Sequence, residues 1–131
     1  MKVKISLVAI QYNKQRSYIS DNYTKIFFTN DNKIPSIIAS TKDEKETLKQ
    51  LFSRYFKVDY KWFEKQLFDF RLINNNGEMT AESVYITCTP EVIDAEKDGR
   101  FLTFSQIHEK QIKLEPFYER AITGVGKSTF R

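Results

Sequence analysis

The stretch S40-T-K-D-E-K-E-T-L-K-Q-L-F-S-R-Y-F56 decides how the rest of the chain is read. Leu48, Leu51, Phe52, Tyr55 and Phe56 fall at i, i+3, i+4, i+7 and i+8, the spacing that lines one face of an α-helix. Lys45, Glu46, Lys49, Gln50 and Ser53 fill the other face. Thr41 with Glu44, or Ser40 with Asp43, has the spacing of a capping box, which satisfies the first orphan N–H groups of a helix. An amphipathic helix of about four turns is expected here, its apolar stripe packed into a core.

Strands flank this helix. Val3, Ile5, Leu7 and Ala9 alternate with Lys4, Ser6 and Val8, and the run continues into Ile10, so residues 2–12 read as a strand. Residues 13–25 are polar and aromatic and are expected to form a loop. K25-I-F-F-T29 is a short strand, N30-D-N-K33 a turn, and Pro35 opens an extended I-P-S-I-I-A segment. Beyond the helix and D59-Y-K-W62, the segments Q66-L-F-D-F-R-L-I73 and S83-V-Y-I-T-C-T89 surround N74-N-N-G77 and predict a β-hairpin. Val84, Ile86 and Cys88 share one face of its second strand, and Ser83, Tyr85, Thr87 and Thr89 the other. Pro90 ends that strand, and residues 91–100 form a charged loop. F101-L-T-F104 is a further strand, Ser105 is placed to cap a short helical turn, and E115-P-F-Y-E-R-A-I122 is a helix with Pro116 in its first turn.

Composition bounds the rest. A chain of 131 residues with 40% apolar and 15% aromatic side chains builds one domain around a substantial core. One cysteine, Cys88, and one histidine, His108, leave no internal disulfide and no Cys/His zinc pattern, and too few partners for a nucleophile–base pair. No metal site and no cofactor is expected. The N-terminal apolar run is too short for a signal core, and no stretch approaches the ~20 apolar residues of a bilayer span. A soluble, cytoplasmic protein without membrane contact is the expectation. Usage rich in Lys, Asn, Ile and Phe fits an AT-rich genome, such as that of many phages or firmicutes.

The last residues, A121-I-T-G-V-G-K-S-T-F-R131, fit the loose phosphate-loop template. Such a loop needs a strand before it and a helix after it, and only three residues follow Ser128. The match is coincidental. Arg120, Lys127 and Arg131 supply three of the net four positive charges. Residues 124–131 are therefore expected to form a flexible basic tail on a domain spanning residues 1–123, available to a polyanion or to an acidic surface of a partner.

In order, the strand at 2–12, the segment K33-I-P-S-I-I38, the capped helix with E46-T-L48, the L67-F-D-F-R71 strand, S83-V-Y-I-T87, G99-R-F-L-T-F104 and the terminal helix resemble the Nudix hydrolases. The likeness covers nearly the whole chain and implies a single-domain α/β fold: an α/β/α sandwich with a mixed β-sheet. That family binds Mg²⁺ through a box of glycine, five residues, glutamate, seven residues, then Arg-Glu-x-x-Glu-Glu, whose glutamates share a helix face. Hard cations need such clustered carboxylates. With Glu46 as the first glutamate, Arg54 falls on the arginine, but Ser40 replaces the glycine, Tyr55 the next glutamate, and Val58 and Asp59 the following pair. Aligning Lys57-Val58 on the box end instead puts Arg54 and Tyr55 where the paired glutamates belong. One carboxylate of the metal pair survives in the first register and none in the second.

The resemblance then implies a catalytically inactive binding or structural module that contacts a protein assembly first, or a nucleic acid. Its partner-binding tail would be Arg120, Lys127 and Arg131. A second reading keeps hydrolysis of nucleoside diphosphate derivatives through relocated acids drawn from Glu44, Glu46, Asp59, Glu64, Asp69 and Glu82. A third is a sensor of nucleotide metabolites, for which the family layout implies Lys33, Arg54 and Arg71 as anion contacts.

Overall fold

A computed structural model describes residues 1–11, 24–40, 42–56, 65–89 and 98–129, with the backbone alone for 124–129. The expected loop at 13–25 falls mostly outside the described residues, as does the segment around Asp59 and Trp62 and most of the 91–100 loop.

The centre of the molecule is β1 (Lys2–Gln11), whose last seven residues are buried. It runs parallel to β5 (Glu78–Thr89) along its full length, from Lys2 opposite Thr80 to Gln11 opposite Thr89. Two short strands share its other edge. β3 (Ser36–Ile38) pairs antiparallel with Lys4–Ser6, and β2 (Lys25–Thr29) pairs antiparallel with Ile10 and Gln11. β6 (Gly99–Thr103) extends the sheet beyond β2, and β4 (Lys65–Asn75) forms the opposite edge against β5. The sheet is mixed, in the order β4-β5-β1-β2-β6 with β3 on β1. A parallel sheet segment needs a crossover between its strands, and the helix that follows β3 lies within the one from β1 to β5.

Alternation along the strands builds a core on each face. Ile5, Leu7 and Ala9 of β1 join Phe27 and Phe101 under α1 (Glu44–Tyr55), whose Leu48, Leu51, Phe52 and Tyr55 are buried with Phe56 at its C-cap. The five rings of this core meet edge-on or tilted, with Phe27 centroids 4.9 Å from Phe56 and 5.3 Å from Phe101. On the other face Val8, Ile10, Phe28, Val84, Ile86 and Leu102 pack beneath α2 (Phe104–Glu109) and α3 (Pro116–Thr129), which contribute Ile107, Phe117, Tyr118, Ala121 and Ile122. The result is the expected α/β/α sandwich in a single domain, with the stripe of α1 buried as its periodicity dictates.

Three local details depart from the sequence reading. The N-cap of α1 is Asp43, whose Oδ1 accepts from the N–H groups of Lys45 at 3.0 Å and Glu46 at 3.3 Å. The helix starts at Glu44, so Asp43 holds the N-cap position and Ser40 does not; Thr41 lies outside the described residues. α2 is capped by Thr103 and not by Ser105, in a reciprocal box with Gln106. α3 continues through Thr129, so the backbone of 124–129 is helical and the Gly-Lys-Ser run ends a helix where a phosphate loop must precede one.

The hairpin turn follows the expected chemistry. Asn76 and Gly77 both take positive φ, 55° and 88°, the pairing that a two-residue hairpin loop needs to match strand twist. Gly99 is fixed by a close approach: a Cβ there would stand 2.4 Å from the Phe27 ring and 2.5 Å from the Phe28 carbonyl.

Candidate functional site

One polar layer interrupts the α3 side of the sheet. Lys4 and Ser6 of β1, Glu82 of β5 and Arg71 of β4 lie side by side across three strands, because their registers pair Lys4 with Glu82 and Arg71 with Glu82. Glu82 is wholly buried. Its Oε2 accepts from Ser6 Oγ at 2.5 Å and from Tyr118 Oη, and its Oε1 accepts from Arg71 Nε at 2.8 Å. Lys4 Nζ lies 3.7 Å from Oε2. Burial alone would raise the Glu82 carboxyl, but the hydrogen bonds from Ser6, Tyr118 and Arg71 and the charge of Lys4 outweigh it and hold it below the usual carboxylate range. The Tyr118 hydroxyl is pushed up by burial and by its bond to Glu82, so it remains a donor. Arg71 continues the chain: Nη1 meets Glu115 at 2.9 Å, and the guanidinium lies 4.3 Å over the Phe117 ring.

Lys4 and Tyr118 of this layer also line a cleft of about 290 Å³. Its walls are Lys4 and Ser36 from the sheet, Asn32, Lys33 and Ile34 from the loop after β2, and Lys113, Leu114, Glu115 and Tyr118 from the approach to α3. Three lysines face one carboxylate, and that carboxylate is already bridged to Arg71. The loop carrying Lys33 is held in shape. Thr29 N donates to Lys33 O at 2.8 Å, Asn32 takes a φ of 61°, and Arg100 donates to Thr29 O at 2.9 Å and to Asn32 Oδ1. The cleft thus offers ammonium groups, an amide, hydroxyls and an apolar wall, a donor set suited to an anionic ligand with an apolar part.

Of the anion candidates from sequence, Lys33 lines this cleft. Arg71 lies in the buried layer beside it and spends its contacts on Glu82 and Glu115. Arg54 is exposed in the last turn of α1, 5.4 Å over the Tyr55 ring, on the opposite face of the sheet. Arg120 is exposed on α3; Lys127 lies within that helix, and Arg131 is outside the described residues.

The acids considered for a metal are dispersed. Glu44 accepts from Ser83 Oγ at 3.0 Å and Tyr85 Oη at 2.6 Å on the α1 face. Glu46 is exposed in the first turn of α1, and Asp69 Oδ1 accepts from Phe70 N at 2.8 Å. Glu82 is buried on the α3 face, and Asp59 and Glu64 lie outside the described residues. Among the described residues, no three His, Cys, Asp or Glu side chains come together as metal ligands. From Thr47 to Tyr55, α1 carries Lys49 and Arg54 and no carboxylate. Cys88 is half-buried, and burial pushes its thiol up to about 12, so it is protonated at neutral pH and no nucleophile. No helix among the described residues is long and apolar enough to cross a membrane.

Lys4, Lys113, Tyr118 and Arg100 were not singled out from sequence. One signal was available for Glu82 and Lys4: each is a charged residue in phase with core positions of its strand, Val84 and Ile86 or Val8 and Ile10. A charge in that phase is buried only if it is paired.

No protein-family model and no curated protein matches the chain. Solved structures do. The Nudix domain of Shewanella oneidensis NrtR complexed with ADP ribose is 13% identical, with a TM-score of 0.61 over 92% of this chain and 83% of that one. C. elegans Ap4A hydrolase is 6% identical, with a TM-score of 0.65 and 94% of each chain covered. The E. coli dihydroneopterin triphosphate pyrophosphohydrolase is 8% identical, with a TM-score of 0.64 over 95% of this chain and 94% of that one. The chain therefore has a Nudix-like fold. At these identities the likeness speaks of fold alone.

Proposed function

We propose that this chain is a Nudix-fold binding module that takes a phosphorylated small molecule in the Lys4/Lys33/Lys113 cleft and does not hydrolyse it. The observation that carries the reading is the cleft itself: three lysines line it, and one of them, Lys4, lies 3.7 Å from a buried, hydrogen-bonded carboxylate. Glu82 anchors Lys4, at 3.7 Å, and Tyr118, whose hydroxyl donates to it, and both residues line the cleft. The NrtR domain, with ADP ribose bound, makes that chemical class the first to try.

The placement of the described carboxylates supports the non-catalytic reading. Glu44 is tied to Ser83 and Tyr85 on the α1 face, while the cleft opens on the α3 face. Two acids in the first turn and two cations beyond them give α1 too few oxygens for Mg²⁺. Ligand capture without turnover makes the module a reporter or a scaffold, and the protein-assembly reading from sequence joins it through the basic residues of α3.

The test is thermal unfolding with ADP ribose, nucleoside triphosphates and inorganic pyrophosphate, with and without Mg²⁺, followed by chromatography of the nucleotides. Stabilisation by at least one nucleotide, with that nucleotide recovered intact, is expected. Turnover that Glu46→Gln abolishes would overturn the non-catalytic reading, and no stabilisation by any of them would overturn the ligand class.

A further inference from the structure

The surface that the cleft does not use is the opposite edge of the sheet. Among the described residues β4 pairs only with β5, so one side of an eleven-residue strand keeps its main-chain groups unpaired by a neighbouring strand. This edge is also apolar. Leu67, Phe70 and Leu72 are 48%, 65% and 59% exposed, on the side where α1 covers β1 and β2 instead. A long, apolar edge strand pairs with another strand unless something blocks it.

We infer that β4 pairs antiparallel with β4 of a second copy of this chain, in the register that centres on Phe70. A two-fold axis perpendicular to the sheet keeps the α1 faces of both copies on one side. Each residue must then pair with one that points the same way, so the axis passes through a residue. The β-bulge between Leu67 and Asp69 leaves Asp69–Asn75 as the regular run. Centring on Asp69 or on Arg71 opposes like charges. Centring on Phe70 sets Asp69 opposite Arg71 of the second copy, twice, and lays the two Phe70 rings together. No other centre within that run opposes unlike charges.

Two local facts agree with this register. Phe70 N–H is satisfied by the Asp69 carboxylate, as befits a group that faces away from β5. Arg71 uses Nε for Glu82 and Nη1 for Glu115, which leaves Nη2 for the second copy's Asp69. Pairing releases the Phe70 N–H from Asp69 to the facing carbonyl and gives the carboxylate a guanidinium in exchange.

Sedimentation equilibrium of the full chain tests the assembly, and cysteine cross-linking tests the register. The expected mass is twice 15.5 kDa, and Phe70→Lys raises the dissociation constant at least about tenfold, because it sets two ammonium groups face to face. Under oxidised glutathione, Phe70→Cys forms a covalent dimer, since directly opposed Cα atoms about 5.5 Å apart suit a disulfide. Leu72→Cys does not, because the two copies of that position lie well apart in this register. A monomer at all concentrations, or a dimer that cross-links through Leu72→Cys instead of Phe70→Cys, overturns the inference.

Discussion

Glu82 is the residue on which the α3 side of the sheet depends. It is wholly buried and charged, and each of its partners also belongs to something else: Ser6 to the central strand, Tyr118 to the cleft wall, Arg71 to the edge strand. Breaking a buried pair from one side costs about 3–5 kcal/mol, so Arg71→Ala is expected to lower unfolding stability by about 3 kcal/mol in urea titrations at pH 7. Glu82 also sets a pH dependence. Its folded pKa is depressed, so the unfolded state binds more protons between the two pKa values. The stabilisation is present above the ordinary carboxylate value of about 4.3 and is lost as pH falls through the lower, folded value. Glu82→Gln should therefore be destabilised at pH 7, and the gap to wild type should narrow below about pH 4. A constant gap across that range would mean that the carboxylate carries no charge in the native state. At Gly99 the physics is steric. Gly99→Ala drives a methyl into the Phe27 ring and the Phe28 carbonyl, and is expected to cost about 1–3 kcal/mol by the same titration.

Among the elements, those with a strong period were legible. α1 shows its stripe at Leu48, Leu51, Phe52 and Tyr55, and the hairpin shows Asn76-Gly77 between two alternating runs; both formed as read. Capping was not legible, because S40-T-K-D43 offers several side chains of the right type and only the true start of the helix selects among them. Asp43→Ala is expected to cost about 1 kcal/mol in thermal or urea unfolding, while Ser40→Ala leaves stability within about 0.5 kcal/mol. The C-terminal helix was read too short because Gly124 and Gly126 lower helix propensity, yet α3 runs on to Thr129. The site was hardest to see. Lys4, Lys33, Lys113 and Tyr118 are far apart in sequence, and only the pairing of β1 with β3 and the return of the chain before α3 bring them to one cleft.

At the scale of the whole molecule, the fold places α1 and the lysine cleft on opposite faces of one sheet. The sandwich is that of the Nudix structures, and beyond its first turn α1 carries Lys49 and Arg54 and no carboxylate. Lys4, Lys33 and Lys113 line the cleft on the α3 side. Surface reversals there should leave the fold intact, since Lys33 and Lys113 are exposed. Lys33→Glu and Lys113→Glu are each expected to weaken a phosphorylated ligand about tenfold or more without shifting Tm beyond about 1 °C, and raised salt should mimic them. The most direct measurement is a calorimetric titration of ADP ribose into the protein with Mg²⁺ present, with the nucleotide recovered afterwards. The account predicts saturable binding that the Lys33→Glu/Lys113→Glu double variant loses, with every molecule of ADP ribose returned uncleaved. Heat that continues without saturation, with AMP and ribose 5-phosphate in the recovered solution, would contradict it.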